Sequence, residues 1–418
     1  MRGWLAWGAV VVVGCGGPER RAATALERFE AGDAERLTMA IEAADAAVER
    51  HPDDPAAWAL RGEVHLAWAE RPPVSADLPA RDPAAAALES FDKASGLGAA
   101  GGVHGALTDR VPALEALLVA RLVNATEAGA WDEAAEVLAV ALRARALDEQ
   151  LRGAHPDRAA TLERLAVQVD AARADSGGAL AHYQAFARAN GADEPALALL
   201  VTRALVAADR ADDALGFVGP LSAAFGDDQG LLRAEVELLV AAGRGPDAIA
   251  RIEGALPASR TTAGDHLLAG ALLGVAGAPT MALARFEEAV KLAPSDVSAR
   301  VALGSALTAA AVDARAEIDA RDQELDQRRP PRDLLQRLAE LPGLWLRAES
   351  ELVAATAADP TSCPAAQALV ALYMARIGDL DEETATEAER AMVRGDMERR
   401  AAAERAAQQN GCGTGGAR

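Results

Sequence analysis

Residues 263–296 read AGDHLLAGALLGVAGAPTMALARFEEAVKLAPSD. Two apolar stretches of helical period flank Gly277, with Gly270 and Leu273 before it and Ala282, Phe286 and Ala289 after it. Gly270, Ala282 and Ala289 have almost no side chain, so two helix backbones can approach closely at those positions, and Phe286 fills the wider gap between them. Gly277 can take the left-handed conformation that ends a helix. Pro294 cannot continue the second one. The segment therefore reads as a helix-turn-helix hairpin.

The hairpin recurs at a fixed step of 34 residues. Ala282, Phe286 and Ala289 are matched by Ala248, Ile252 and Ala255, and before those by Ala214, Val218 and Leu221, while the turn residues run Asp209, Gly243, Gly277. Looser copies surround this core. Residues 21–52 end in Ala40, Ala47 and Pro52. Trp58 and Gly62 open a unit that Ala87, Phe91 and Ala94 close. Gly129 to Ala134 supplies a turn before Leu138 and Ala141, and residues 159–193 keep Ala179 and Tyr183. Gly304 opens a unit whose second helix comes only at 345–359, with Ala348, Leu352, Ala355 and then Pro360. A whole pattern repeated at one period marks a repeat architecture.

The repeat resembles the tetratricopeptide repeat, with His266 at the usual tryptophan position. The resemblance covers most of residues 21–380 in roughly eight units. It implies an all-α fold, an α-solenoid of helix-turn-helix repeats. The expected layout is a signal peptide at 1–14, a lipidated tether at 15–20, repeats at 21–312 and 345–380 around a helical insertion at 313–344, a capping helix at 381–409 and a flexible Gly-rich tail at 410–418. The insertion reads as a charged helix at 314–328, a break at Pro330 and Pro331, and a second short helix. Residues 71–83 are Pro-rich and read as a loop insertion. No alternating β-branched run competes.

Composition agrees. Of 418 residues 51% are apolar but only 3% aromatic, which suits helices packed through small residues better than a core filled by large ones. The net charge of −21 without a basic stripe argues against nucleic acid as a partner.

The N-terminus has Arg2, an apolar run at residues 4–13, then Gly14 and Cys15, which are the parts of a secretory signal. The run is far shorter than the ~20 residues that span a bilayer. Val12-Val13-Gly14-Cys15 resembles a bacterial lipobox, with Val12 in place of the usual leucine. The resemblance implies diacylglycerol on Cys15 and cleavage before it. Gly16 after the cysteine, in place of Asp, points by the same resemblance to the periplasmic face of the outer membrane. The other reading is an ordinary signal peptide or a mis-assigned start. Export leaves Cys363 and Cys412, which either pair as a disulfide or stay two free thiols.

Chemistry is hard to find in this sequence. His51, His65, His104, His155, His182 and His266 form no short-spaced metal pattern, so no metal and no cofactor is expected. Gly96-Leu97-Gly98-Ala99-Ala100-Gly101 follows no strand and reads as a loop, and Ser176 and Ser305 lack a nucleophile-elbow context. Asp212-Asp213 and Asp227-Asp228 sit where helices start and complement the dipole.

The expected function is thus a non-catalytic, lipid-anchored interaction scaffold holding a protein or peptide. Alternatives are an assembly factor for an outer-membrane machine, such as a secretin or barrel-insertion complex, and an accessory repeat domain of an envelope enzyme. In the repeat family, positions five and nine of each first helix line a groove. Carried over, these are Leu199 and Arg203, Arg233 and Glu237, Leu267 and Ala271, and Val301 and Ser305. The Lys/Asn clamp of chaperone-binding members has no counterpart there. Arg203 and Arg233 either face a partner's carboxylates or are merely solvated, or paired with Glu237.

Overall fold

A computed structural model describes residues 17–72, 82–255, 261–325, 331–378 and 387–412. Cys15 and most of the 71–83 stretch lie outside the described residues. Every regular element among the described residues is an α-helix. The chain divides into two compact units at Val218/Gly219, within helix α10 (Ala211–Ala224).

The first unit contains α1 (Pro18–Glu30), α2 (Arg36–Arg50), α3 (Pro55–Glu70), α4 (Pro83–Gly96), α5 (Gly102–Glu127), α6 (Trp131–Arg152), α7 (Pro156–Ala172), α8 (Ser176–Asn190) and α9 (Pro195–Ala207). The second contains α11 (Gln229–Ala241), α12 (Gly245–Ala255), α13 (Ala263–Val275), α14 (Pro279–Leu292), α15 (Val297–Leu325), α16 (Arg332–Ala358), α17 (Cys363–Gly378) and α18 (Glu387–Gln409). In each unit a helix packs against its successor, and the odd-numbered helices also touch one another: α1 on α3, α3 on α5, α5 on α7 and α7 on α9; then α11 on α13, α13 on α15 and α15 on α17. Odd helices therefore form one wall and even helices the other, the arrangement of stacked repeats.

Local chemistry sets the elements. Asp54, Asp82, Asp175 and Asp228 cap α3, α4, α8 and α11 through their side chains, and Thr262 and Asp265 form a capping box on α13. The turn residues of the 34-residue step share one conformation: φ is 57° at Asp209, 71° at Gly243 and 75° at Gly277.

The glycine contacts fix the repeat register. A Cβ on Gly270 would stand 2.5 Å from the Phe286 ring, and one on Gly304 2.6 Å from Leu352; one on Gly62 would overlap the Phe91 ring. Gly270 and Phe286 are sixteen positions apart. The other two pairs make the same contact across longer sequence, so each insertion is accommodated inside one hairpin without shifting the stack.

The 313–344 insertion differs from its reading as separate helices. α15 runs unbroken from Val297 to Leu325 and α16 from Arg332 to Ala358, so the added residues lengthen both arms of one antiparallel hairpin. Arg337 reaches across it to Glu317, and Arg321 to Asp333 at 2.7 Å. Residues Val297–Arg321 are long and apolar enough to cross a membrane by composition, but they form one arm of this hairpin. Cys363, at the start of α17, is bonded to Cys412 beyond α18, and Ala366 and Ala407 bury themselves around the bridge.

Candidate functional site

The residues expected to line a groove fall in both units. Leu199 is half-buried and Arg203 exposed on α9 in the first unit. In the second, Arg233 and Glu237 are exposed on α11 and paired with each other, Nε to Oε1 at 2.8 Å. Leu267 on α13 and Val301 on α15 are half-buried. The Arg233–Glu237 pair is an i,i+4 contact in solvent that adds little to stability, and Glu237 already occupies the guanidinium.

Arg203 has different surroundings. It lines a hollow of about 580 Å³ on the wall of odd helices, together with Glu127 at the end of α5, Trp131 at the start of α6, Gln168 on α7 and Leu200 on α9; the rest of the lining is small, including Ala171, Ala204 and Ala207. The alanines are what open the space, since a larger residue at any of them would fill it. An indole, an amide and a guanidinium then converge on a mostly apolar concavity, a composition that suits an extended peptide segment. Trp131 had been legible only as part of a turn; its contribution to this hollow depends on α5, α7 and α9 meeting around it.

A second feature is carried by residues that look like ordinary surface charges in the sequence. The interior of the first unit is laced with carboxylate–arginine pairs between neighbouring helices. Glu63 on α3 accepts from Arg110 on α5 at 3.1 Å; Glu115 on α5 pairs with Arg158 on α7 at 2.6 Å, and Arg158 also reaches Asp148 at 3.0 Å. On α7, Glu163 accepts from Arg145 at 2.7 Å and faces His182 Nδ1 at 2.5 Å, while His182 Nε2 lies 3.7 Å from Asp170. Both partners of His182 are carboxylates, so this is an ion-pair cluster and lacks the hydroxyl or thiol that a nucleophilic triad needs. The Ser176 hydroxyl instead accepts from Arg210. No cluster of His, Cys, Asp or Glu that could hold a metal ion occurs among the described residues.

These groups titrate abnormally. The hydrogen bond to Glu163 raises the His182 imidazole above 6.5, against the opposing effect of burial. Burial pushes the Glu30 carboxyl up to about 7, with Glu63 adding to it and Arg110 opposing. Burial likewise raises Glu63, Glu115 and Asp170, against the lowering effect of their cationic neighbours. For Glu163 burial acts upward, but hydrogen bonds from His182 and Arg145 outweigh it, and the carboxyl is lowered. Every raised group holds its proton more tightly folded than unfolded. The His182 contribution is present below about 6.5 and lost as pH rises through its folded value, and the raised carboxyls lose stability over the same direction. The lowered Glu163 acts only below its ordinary 4.5. The melting temperature should therefore rise when pH is lowered from about 8 to about 6; a flat or falling profile contradicts this account of the cluster.

The fold defines a class: each unit of the chain is an all-α stack of helix-turn-helix repeats. No protein-family model and no curated protein matches the chain. Among solved structures it is similar to YrrB, described as a TPR protein with an unusual peptide-binding site, at 16% identity over 51% of this chain and 92% of that one, with a TM-score of 0.27. It is also similar to a tetratricopeptide repeat protein from Parabacteroides merdae (16% identity, 68% and 98% covered, TM-score 0.25) and to the TPR domain of P58(IPK) (12%, 86% and 98%, 0.26). The likeness concerns the fold alone.

Proposed function

We propose that the protein is a non-catalytic scaffold of the bacterial cell envelope, anchored by lipid on Cys15, that holds an extended segment of a protein partner. The observation that carries this reading is the Trp131–Gln168–Arg203 hollow on the wall of odd helices. Arg203 supplies a cation for a carboxylate of the bound segment, and Trp131 a large rigid contact. Arg233, paired with Glu237, is a weaker candidate for the same role.

The anchor rests on the lipobox-like end of the N-terminal apolar run. Three acyl chains, each buried CH₂ contributing ~0.8 kcal/mol, would hold the chain on the membrane permanently. The periplasmic face of the outer membrane is the favoured place. Metabolic labelling with a fatty-acid probe should mark the wild type and leave Cys15→Ser unmarked; equal labelling of both rejects the anchor. Detergent extracts of labelled membranes should yield a co-purifying protein with the wild type and less of it with Trp131→Ala plus Arg203→Ala.

A further inference from the structure

The chain carries 63 acidic against 42 basic side chains, yet one groove reverses that balance. On the α1–α2 hairpin, a concavity of about 530 Å³ is lined by Arg20, Arg21, Thr24 and Arg28 of α1 and by Arg36 and Glu42 of α2. Arg36 is held by Asp33 at 3.1 Å. Arg20, Arg21 and Arg28 are exposed and make no ion pair among the described residues. The neighbouring acid Glu19 is turned toward His51, at 3.6 Å. Met39, 51% exposed, stands at the same groove as its one large apolar side chain. The core of this hairpin is made on its other side, where Ala22, Leu26, Leu37, Ile41 and Ala44 meet Leu60 and Val64 of α3.

We infer that this arginine groove binds the phosphate of an anionic phospholipid headgroup on the surface to which Cys15 attaches the chain. The inference rests on the lipid anchor proposed above. Only Gly16 and Gly17 separate Cys15 from Pro18, a reach of about 10 Å at most. The first turn of α1 must then lie at the headgroup layer, and Arg20 and Arg21 are in that turn. Arg28 follows about 12 Å along the helix. A groove of three unpaired guanidiniums can take a phosphate bidentately, and Met39 suits the interfacial zone beside it. Such a contact fixes the orientation of the hairpin on a membrane that would otherwise repel so acidic a protein.

The test uses the mature chain with Cys15→Ser, which has no acyl chains, and vesicles of phosphatidylcholine with or without 30% phosphatidylglycerol in low salt. Sedimentation should show binding to the anionic vesicles only. Arg20→Ala with Arg21→Ala should lower the partition coefficient about tenfold to thirtyfold, since each surface arginine contributes roughly fivefold. Arg188→Ala with Arg244→Ala removes the same charge elsewhere and should leave it unchanged. Equal binding to neutral vesicles, or an equal loss in the two double variants, overturns the inference. Those results leave fatty-acid labelling of Cys15 untouched, whereas an unlabelled Cys15 removes the anchor without changing the vesicle result.

Discussion

Phe91→Ala should destabilise the first unit by about 3–5 kcal/mol, read from chemical denaturation of the purified protein. The ring is 1% exposed and lies in a continuous core with Ala87 and Leu88 of its own helix and with Leu107, Leu114 and Leu138 of the next two. The loss combines the transfer of a large apolar group with the cavity left against Gly62. Gly62→Val should cost about 1–3 kcal/mol by the opposite route, because its added carbons overlap that same ring. The two changes are coupled. In the double variant the valine enters the space that the ring vacated, so the combined loss should fall short of the sum by about 0.5–3 kcal/mol. Strict additivity would mean that the two positions do not face each other and that the repeat register is wrong there.

This contact explains how much of the fold was legible. The repeated element is a glycine on one helix under a large apolar residue on the next, and both residue types are visible in sequence. Gly270 with Phe286 fixes the period, and Gly62 with Phe91 and Gly304 with Leu352 reproduce the contact across interruptions. The turn residues were readable for a similar reason, since few residues adopt positive φ without strain. Residues 314–328 read in sequence as a helix of their own because their charges break the apolar stripe. A long hairpin needs only a narrow seam, and α15 continues through the charged residues as far as Leu325, with α16 starting at Arg332. Pro342 also lies inside α16, where a proline normally argues for a break.

The candidate site was less legible. The repeat register places Arg203 at position nine of its helix and Arg233 at position five of the next first helix, both on the expected groove, but their surroundings differ: Arg203 lines a hollow and Arg233 pairs along its own helix. The difference comes from residues distant in sequence. Ala171 and Ala172 of α7 leave room, and Trp131 of α6 supplies the wall. The buried pairs Glu63–Arg110, Glu115–Arg158 and Glu163–His182 were hidden for the same reason. In sequence each is an ordinary charge on a helix, and only stacking turns it inward. Removing one member of such a pair leaves an uncompensated buried charge, which is why these positions act as register pins between neighbouring helices.

Trp131→Ala with Arg203→Ala should strongly weaken capture of the proposed partner while leaving the fold intact, since Trp131 is only half-buried and Arg203 is exposed. A central aromatic and an arginine are the side chains whose truncation typically costs 2 kcal/mol or more in an interface, so a combined loss of about a hundredfold or more in affinity is expected. The most direct measurement places a photo-crosslinking amino acid at Leu200, inside the hollow, in cells expressing the full chain. Irradiation should join the protein to a discrete partner, the product should vanish in the Trp131→Ala and Arg203→Ala background, and the same probe at Glu136, exposed on α6 and outside the hollow, should give no such product. Equal crosslinking from both positions, or a Leu200 product that survives loss of Trp131 and Arg203, would contradict a scaffold that holds its partner in this hollow.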